Sequence, residues 1–319
     1  MKAGPDQASP EERGPGEGRE WHRALALGLF LVSASVAGPF ALVAAPFLLM
    51  VLGLPVRRRG GLLLAAVVAV FLLAGPADEG MWYVERGWAL LAGGWFVALT
   101  LAWPDARLGH RALGAVGGAA GVAGVAFAVK PAWWWVLDWQ VQERMVGGVT
   151  QALDLLREFQ GGDAISGEVE ASVLRTAEIQ AALFPALLGL TTLAGLALAW
   201  WLYNRVAAGR RGGLGSLKEF RFEDQLVWVF IGGLLLVVVT AGEGWTRAGS
   251  NTLVFMGALY ALRGAAVVLF LNGGLSVLGG VLVALGMLFM APVILVAAML
   301  IGLSDTWLDV RTKVRALVS

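Results

Sequence analysis

TLVFMGALYALRGAAVVLFLN, residues 252–272, decides the fold class because it is an apolar run long enough to cross a lipid bilayer as a helix. A bilayer core about 30 Å thick needs roughly 20 apolar helical residues. Comparable runs recur along the chain at 24–55, 61–75, 87–103, 112–129, 182–203, 226–241 and 276–303. The 24–55 run is interrupted by proline, so it is either a tight pair of short helices or one kinked span. The sequence therefore predicts an all-α polytopic bundle of transmembrane helices with eight or nine spans.

The composition excludes the ordinary soluble classes. Of 319 residues, 58% are hydrophobic and 15% are charged, whereas a typical soluble domain carries about 25% charge. A net charge of +1 provides no extended basic face for nucleic acid. With no cysteine and two histidines, the chain cannot build a disulfide framework, an iron–sulfur cluster or a multi-histidine metal centre. Catalytic and nucleotide-binding motifs are also absent from the sequence, so we expect no enzymatic activity, no cofactor and no nucleic-acid partner.

The segments between the apolar runs suggest five regions. Residues 1–20, rich in glycine, proline and charge, are predicted to be a disordered cytoplasmic tail. Residues 21–129 and 182–304 form two helical membrane halves, and 130–181 between them form an external amphipathic helical cap. Residues 305–319 form a tail that lies at the membrane interface.

The distribution of basic residues gives an orientation. Loops that carry many lysines and arginines stay on the cytoplasmic side, which predicts a cytoplasmic N-terminus together with the 204–225 loop. Nine single crossings would then leave the basic tail after residue 308 outside. A hairpin at Pro292 would return the tail, but each arm of about 14 residues, near 21 Å, is too short to cross fully. The span count stays open, and a cytoplasmic tail is favoured.

Aromatic and small residues suggest how the spans are anchored and packed. Tryptophans in the headgroup zone anchor membrane proteins, and we predict this role for Trp133, Trp134, Trp135, Trp139 and Trp307. The cluster at 133–139 could instead stack a ligand. Five glycines in the 112–129 run would let two helices approach closely, which favours a central packing helix over one that is merely rich in small residues.

Arg263 is the exception among the 47 charged residues, since the others lie outside the predicted spans. A cation near the middle of a span costs about 3 kcal/mol unless it faces the bundle interior or a wet cavity. We therefore expect a partner, either a carboxylate such as Glu243, Asp305 or Glu85, or backbone carbonyls at a broken helix. Arg263, Tyr260 and Asp305 form the candidate ligand or charge site. Arg263 serves there as an anion subsite or as half of a buried ion pair that fixes helix register.

Three stretches carry a family resemblance. They are Phe220–Phe222 with Leu226–Trp228, Asn251–Val267, and the closing GLSDTWLDVR at 302–311. With these motifs the chain resembles the YybS-type family of bacterial membrane proteins, a domain of unknown function. The resemblance covers roughly residues 180–315 and implies a multi-pass protein of the bacterial inner membrane.

The N-terminal layout is similar to the substrate-binding S-components of energy-coupling-factor vitamin transporters. Both have two short helices, a basic turn and a glycine-rich helix, here from Pro46 to Gly61 and then 61–75. Those components bind a vitamin within the membrane and work with separate ATPases, so the resemblance implies ATPase or transporter subunits as partners.

Two functions follow as hypotheses. The first is a small-molecule transport or ligand-binding component, with a cavity lined by the spans at 226–241, 252–272 and 276–303 and with Arg263 as its charged subsite. The alternative is a membrane scaffold or assembly factor that binds cell-envelope proteins through the 130–181 cap and the 204–225 loop. A polar cavity reaching Arg263 favours the first, and a closed bundle favours the second.

Overall fold

A computed structural model describes residues 40–73, 80–159, 167–210, 215–239, 242–274 and 276–318. Every regular element within these ranges is helical, which confirms the all-α class. The α-helices are α1 Ala41–Gly53, α2 Arg59–Leu73, α3 Gly80–Ala102, α4 Leu108–Val129, α5 Pro131–Phe159, α6 Gly167–Ala182, α7 Phe184–Leu202, α8 Val227–Val238, α9 Glu243–Leu271, α10 Val277–Leu308 and α11 Val310–Val318. The predicted tail, residues 1–20, lies outside the described residues.

The count of eight or nine spans is not confirmed. Among the described residues, four helices have the length and hydropathy of a membrane span: α4, α7 with its π-helical continuation to Ala207, α9 and α10. The apolar helices α1 and α2 have 13 and 15 residues. At 1.5 Å per residue they are about 20 Å long, less than a bilayer core. Within the described residues, an apolar run therefore does not by itself establish a full crossing.

Helix α1 lies between the two predicted membrane halves, since it packs against α3 of the first and α7 of the second. Phe47 and Met50 of α1 are fully buried, as are Ala89 on α3 and Leu196 on α7. This helix is apolar on every side, as expected of an element surrounded by others.

The interpretation of 112–129 as a central packing helix stays a prediction, because the glycines of α4 divide between packed and open positions. A Cβ added at Gly118 would lie 2.8 Å from the Trp95 ring of α3, whereas one added at Gly117, Gly121 or Gly124 would meet nothing within 4 Å. A closer helix contact occurs between α9 and α10. There a Cβ on Gly264 would overlap the backbone carbonyl of Ala298, and one on Gly302 would overlap that of Tyr260. Only glycine fits at this crossing, and it brings the two backbones together next to Arg263.

Helix α10 is broken at Met290, where φ is −133° and ψ is 29°. Pro292 follows two residues later and cannot complete the helical hydrogen-bond ladder. A Cβ on Gly286 would lie 2.8 Å from Cδ1 of Ile294, although eight residues along a straight helix span about 12 Å. The helix is therefore sharply bent.

Both ends of α10 contact the same residue, Lys218, in the loop between α7 and α8. The Lys218 ammonium donates to the carbonyl of Gly273, which precedes α10. The Lys218 carbonyl accepts from Arg311, which follows it, at 3.3 Å. A straight helix of 32 residues would be about 48 Å long, so the bend folds its two arms back towards each other. The reversal falls where the Pro292 hairpin would place it.

Candidate functional site

The guanidinium of Arg263 is fully buried and fully engaged. Its Nε donates to Asp305 Oδ2 at 3.0 Å, its Nη1 to Asp224 Oδ1 at 2.7 Å, and its Nη2 to the Asp305 carbonyl at 3.3 Å. The side chain has no solvent exposure, and neither does that of Asp305. A buried cation in this geometry is compensated by two carboxylates and a backbone dipole.

These contacts belong to a larger charge cluster, which we define as Arg221, Arg263, Arg311, Asp224, Asp305 and Asp309. Arg311 donates to Asp305 Oδ2 at 2.9 Å and to the Phe220 carbonyl at 2.9 Å. Arg221 donates to Asp224 Oδ2 at 2.9 Å and to Asp309 Oδ1 at 3.1 Å. Three arginines and three aspartates make the charge cluster formally neutral. It joins α9, the end of α10 and the segment before α8.

The pKa values of Asp224 and Arg221, two of the more exposed side chains of the charge cluster, reflect these contacts. Burial raises the pKa of the Asp224 carboxyl, but the bonds from Arg263 and Arg221 outweigh burial and hold that pKa below its usual value. The bond to Asp224 raises the pKa of Arg221. Both groups therefore stay charged at neutral pH, and Asp224 holds Arg263 and Arg221 together.

Of the carboxylates named as candidate partners for Arg263, Asp305 contacts it. Glu85 instead accepts from Arg144 at 2.6 Å, and the Glu243 side chain lies outside the part that the structure describes. Asp224 was missed by the sequence reasoning because it falls in a loop counted for its basic residues. Its position directly before an apolar helix, three residues after Arg221, was the available signal.

Tyr260 is fully buried beside the charge cluster. Its ring lies edge-on to Phe222, with centroids 5.1 Å apart, and to Phe230, with centroids 5.8 Å apart. The Phe222 ring also faces the Arg263 guanidinium, 5.5 Å from centroid to Cζ. These aromatic rings separate the buried charges from the apolar part of the bundle.

A cavity of about 560 Å³ opens next to the charge cluster. One wall is the start of α4, and the other is the segment before α8; the lining residues are Arg107, His110, Arg221, Phe222, Glu223, Asp224 and Gln225. Asp224 and Phe222 also contact Arg263. The predicted cavity lining differs, since this cavity touches neither α9 nor α10. Within the described residues, no three His, Asp or Glu side chains are grouped closely enough to hold a metal ion.

Comparison with known protein families identifies one match. The family described as "Predicted membrane protein (DUF2232)" matches residues 24–306, most of the chain. The chain belongs to this family. No curated protein matches the chain, and no solved structure does. Family membership makes this an integral membrane protein in contact with the lipid bilayer.

The tryptophans predicted as anchors in this membrane protein do not converge on a site. Trp133, Trp135 and Trp139 are more than half exposed on α5, and Trp307 is 65% exposed near the end of α10. Trp134 is the half-buried member and packs edge-on against Phe127, with centroids 5.5 Å apart. Their exposure fits contact with lipid headgroups better than a ligand cage.

A further buried cation, Arg111, escaped the sequence reasoning. It lies in the first turn of α4 with 7% exposure. Its guanidinium carbon is 4.7 Å from the centroid of the Trp200 ring and 5.8 Å from that of Phe96. Because the apolar run begins at residue 112, Arg111 was counted with the preceding loop.

Proposed function

We propose that this membrane protein binds a small molecule in the cavity between the start of α4 and residues 221–225, as a component of a transport process. The cavity itself carries the proposal. Its volume of about 560 Å³ falls within the range of about 300–1,000 Å³ typical of small-molecule sites. Charged side chains line it, and its inner wall contacts the buried Arg263.

The charge cluster supports a link between this cavity and the helices. Asp224 lines the cavity and bonds both Arg221 and Arg263. A ligand that contacts Arg221 or Asp224 therefore changes the balance of bonds on Arg263, and through it on Asp305 of α10. In this proposal Arg263 is a positioning residue that holds Asp224, because its own donors are engaged by carboxylates.

The resemblance to S-components supports transport as the context. The sequence contains no nucleotide-binding motif, so energy would come from separate ATPase subunits in the bacterial inner membrane. The predicted cytoplasmic orientation of the 204–225 loop would open the cavity to the cytoplasm.

A scaffold that binds cell-envelope proteins is the second candidate, and one observation favours it. The most apolar window of α10 has no buried residue in this chain. Its side chains are free to contact lipid or the helices of a protein partner.

The experiment is purification of the full chain in a mild detergent, followed by mass spectrometry of the small molecules and proteins retained. Gln225→Trp fills the cavity, and Gln151→Trp places the same side chain on an exposed position of α5 as the matched control. We expect a small molecule to be retained by the wild type and by the control, and lost from Gln225→Trp. Equal retention by both variants, or no small molecule in the wild type, contradicts the proposal. A retained protein in its place supports the scaffold.

A further inference from the structure

We infer that the cavity selects a zwitterionic ligand, one that carries both a protonated amine and an acid group. This inference rests on the proposed function and specifies its substrate class. It follows from which charges around the cavity are already neutralised within the protein and which are not.

Two of the charged lining residues are neutralised by the charge cluster. Arg221 is bonded to Asp224 and Asp309, and Asp224 is bonded to Arg221 and Arg263. Neither contributes a net uncompensated charge to the cavity. They form a polar wall that contributes hydrogen-bonding groups.

Arg107 and Glu223 are different. Both side chains are exposed, and no hydrogen bond or ion pair of either side chain occurs among the residues that the structure describes. Arg107 stands at the N-cap of α4, and its side chain makes no capping bond. Glu223 stands on the opposite wall, directly before the turn at Asp224–Leu226. Among the described lining residues, Arg107 is therefore a free cation and Glu223 a free carboxylate on the other wall.

The start of α4 adds to the positive side. The first backbone N–H groups of a helix and its dipole favour negative charge, and His110 of the first turn lines the cavity beside Arg107. An acid group placed here meets Arg107 and the helix terminus together. The amine of the same ligand then lies against Glu223.

Ligands of a single charge fit this lining less well. A simple anion near Arg107 leaves Glu223 without a partner and is repelled by it. A simple cation near Glu223 leaves Arg107 without a partner and is repelled by Arg107. A zwitterion satisfies both walls at once. Such a ligand is available as a free solute or as a phospholipid headgroup, since the cavity lies at the ends of helices.

The test measures binding to the full chain in a neutral maltoside detergent by isothermal titration calorimetry. O-phosphoethanolamine is the zwitterionic probe, and ethanolamine and inorganic phosphate are its two halves. We expect the intact probe to bind at least about tenfold more tightly than either half. Arg107→Gln and Glu223→Gln should each weaken its binding by about tenfold. The controls Arg59→Gln and Glu219→Gln remove exposed charges outside the cavity and should leave binding unchanged.

The outcomes separate the inference from the proposed function. If inorganic phosphate binds as tightly as the intact probe, the zwitterion inference is overturned and a ligand-binding cavity remains. Failure of all three probes also overturns the inference, while loss of the co-purified small molecule from Gln225→Trp still supports the proposed function. Absence of any retained small molecule rejects the proposed function itself.

A second measurement identifies the source of the ligand. The O-phosphoethanolamine titration is repeated in nanodiscs of phosphatidylethanolamine and of phosphatidylglycerol. Weaker probe binding in phosphatidylethanolamine than in phosphatidylglycerol indicates that the lipid headgroup occupies the cavity. Equal binding in both indicates a free solute. Either result supports a zwitterionic site, provided that Arg107→Gln weakens binding in both.

Discussion

Arg263 and Arg111 are both buried cations, but two regions of the molecule stabilise them by different means. Around Arg263, the carboxylates of the charge cluster surround the cation. At the start of α4, Arg111 lies over the rings of Trp200 on α7 and Phe96 on α3. A carboxylate leaves a second buried charge if the cation is removed, whereas an aromatic ring does not. The two sites should therefore respond differently to the loss of a partner.

The largest effect is expected for Asp305→Ala. This change leaves Arg263 and Arg311 facing each other without the carboxylate that they share, so unfolding in detergent should require about 3–5 kcal/mol less free energy. Asp309→Asn is the control, because the Asp309 carboxylate is 38% exposed and bonds one arginine, and asparagine tolerates the left-handed backbone at this position, where φ is 42°. It should cost less than about 1 kcal/mol. Equal losses for the two variants would show that Asp305 does not hold the charge cluster together.

Removal of the cations themselves compares the two sites directly. Arg263→Met should destabilise the protein by about 1–3 kcal/mol, because Asp305 keeps Arg311 and Asp224 keeps Arg221 but each loses a bond. Arg111→Leu should cost less than about 1 kcal/mol, since the lost cation–π contact is offset by removal of a buried charge. Denaturant titrations of both variants in the same detergent provide the measurement. A larger loss for Arg111→Leu would reverse the comparison.

The smallest effect concerns pH. Because the folded-state pKa of Asp224 is held below its ordinary value, its bonds to Arg263 and Arg221 stabilise the protein above the ordinary pKa. That contribution is lost as pH falls through the lower folded value. The Asp224 side chain is 41% exposed, so the contribution should be below about 1 kcal/mol. Between pH 6 and pH 3, the difference in melting temperature between wild type and Asp224→Asn should shrink. A constant difference would mean that Asp224 does not titrate as argued.

The contrast between the two arginines also explains what the sequence could predict. Arg263 was identified because it interrupts a long apolar run, and Asp305 because it follows another. Asp224 and Arg221 reach the same cluster through the folding of a loop onto α9, which no local pattern specifies. Arg111 begins an apolar run, so sequence alone could not distinguish a buried first turn from a loop.

The helices show the same limit. Apolar length predicted the all-α class, but it could not show that α1 and α2 are shorter than a bilayer core. The bend of α10 at Met290 was indicated by Pro292, although length alone argued against a hairpin there. Glycine spacing was equally ambiguous, since three of the five glycines of α4 have no neighbour within 4 Å while Gly264 and Gly302, which the spacing did not single out, lie at a close helix crossing. Close approach depends on which helix lies opposite, and that is a property of the tertiary structure.

The bend in α10 has a consequence for topology. A helix whose two ends meet the same loop contributes no net change of side, so we expect the chain before it and the chain after it to face the same compartment. The side of the membrane on which the C-terminal tail lies is then decided by the chain up to Gly273. It does not depend on how deeply the two arms of α10 enter the bilayer. A label attached at residues 272–274 and one attached after α11 should report the same side of the membrane.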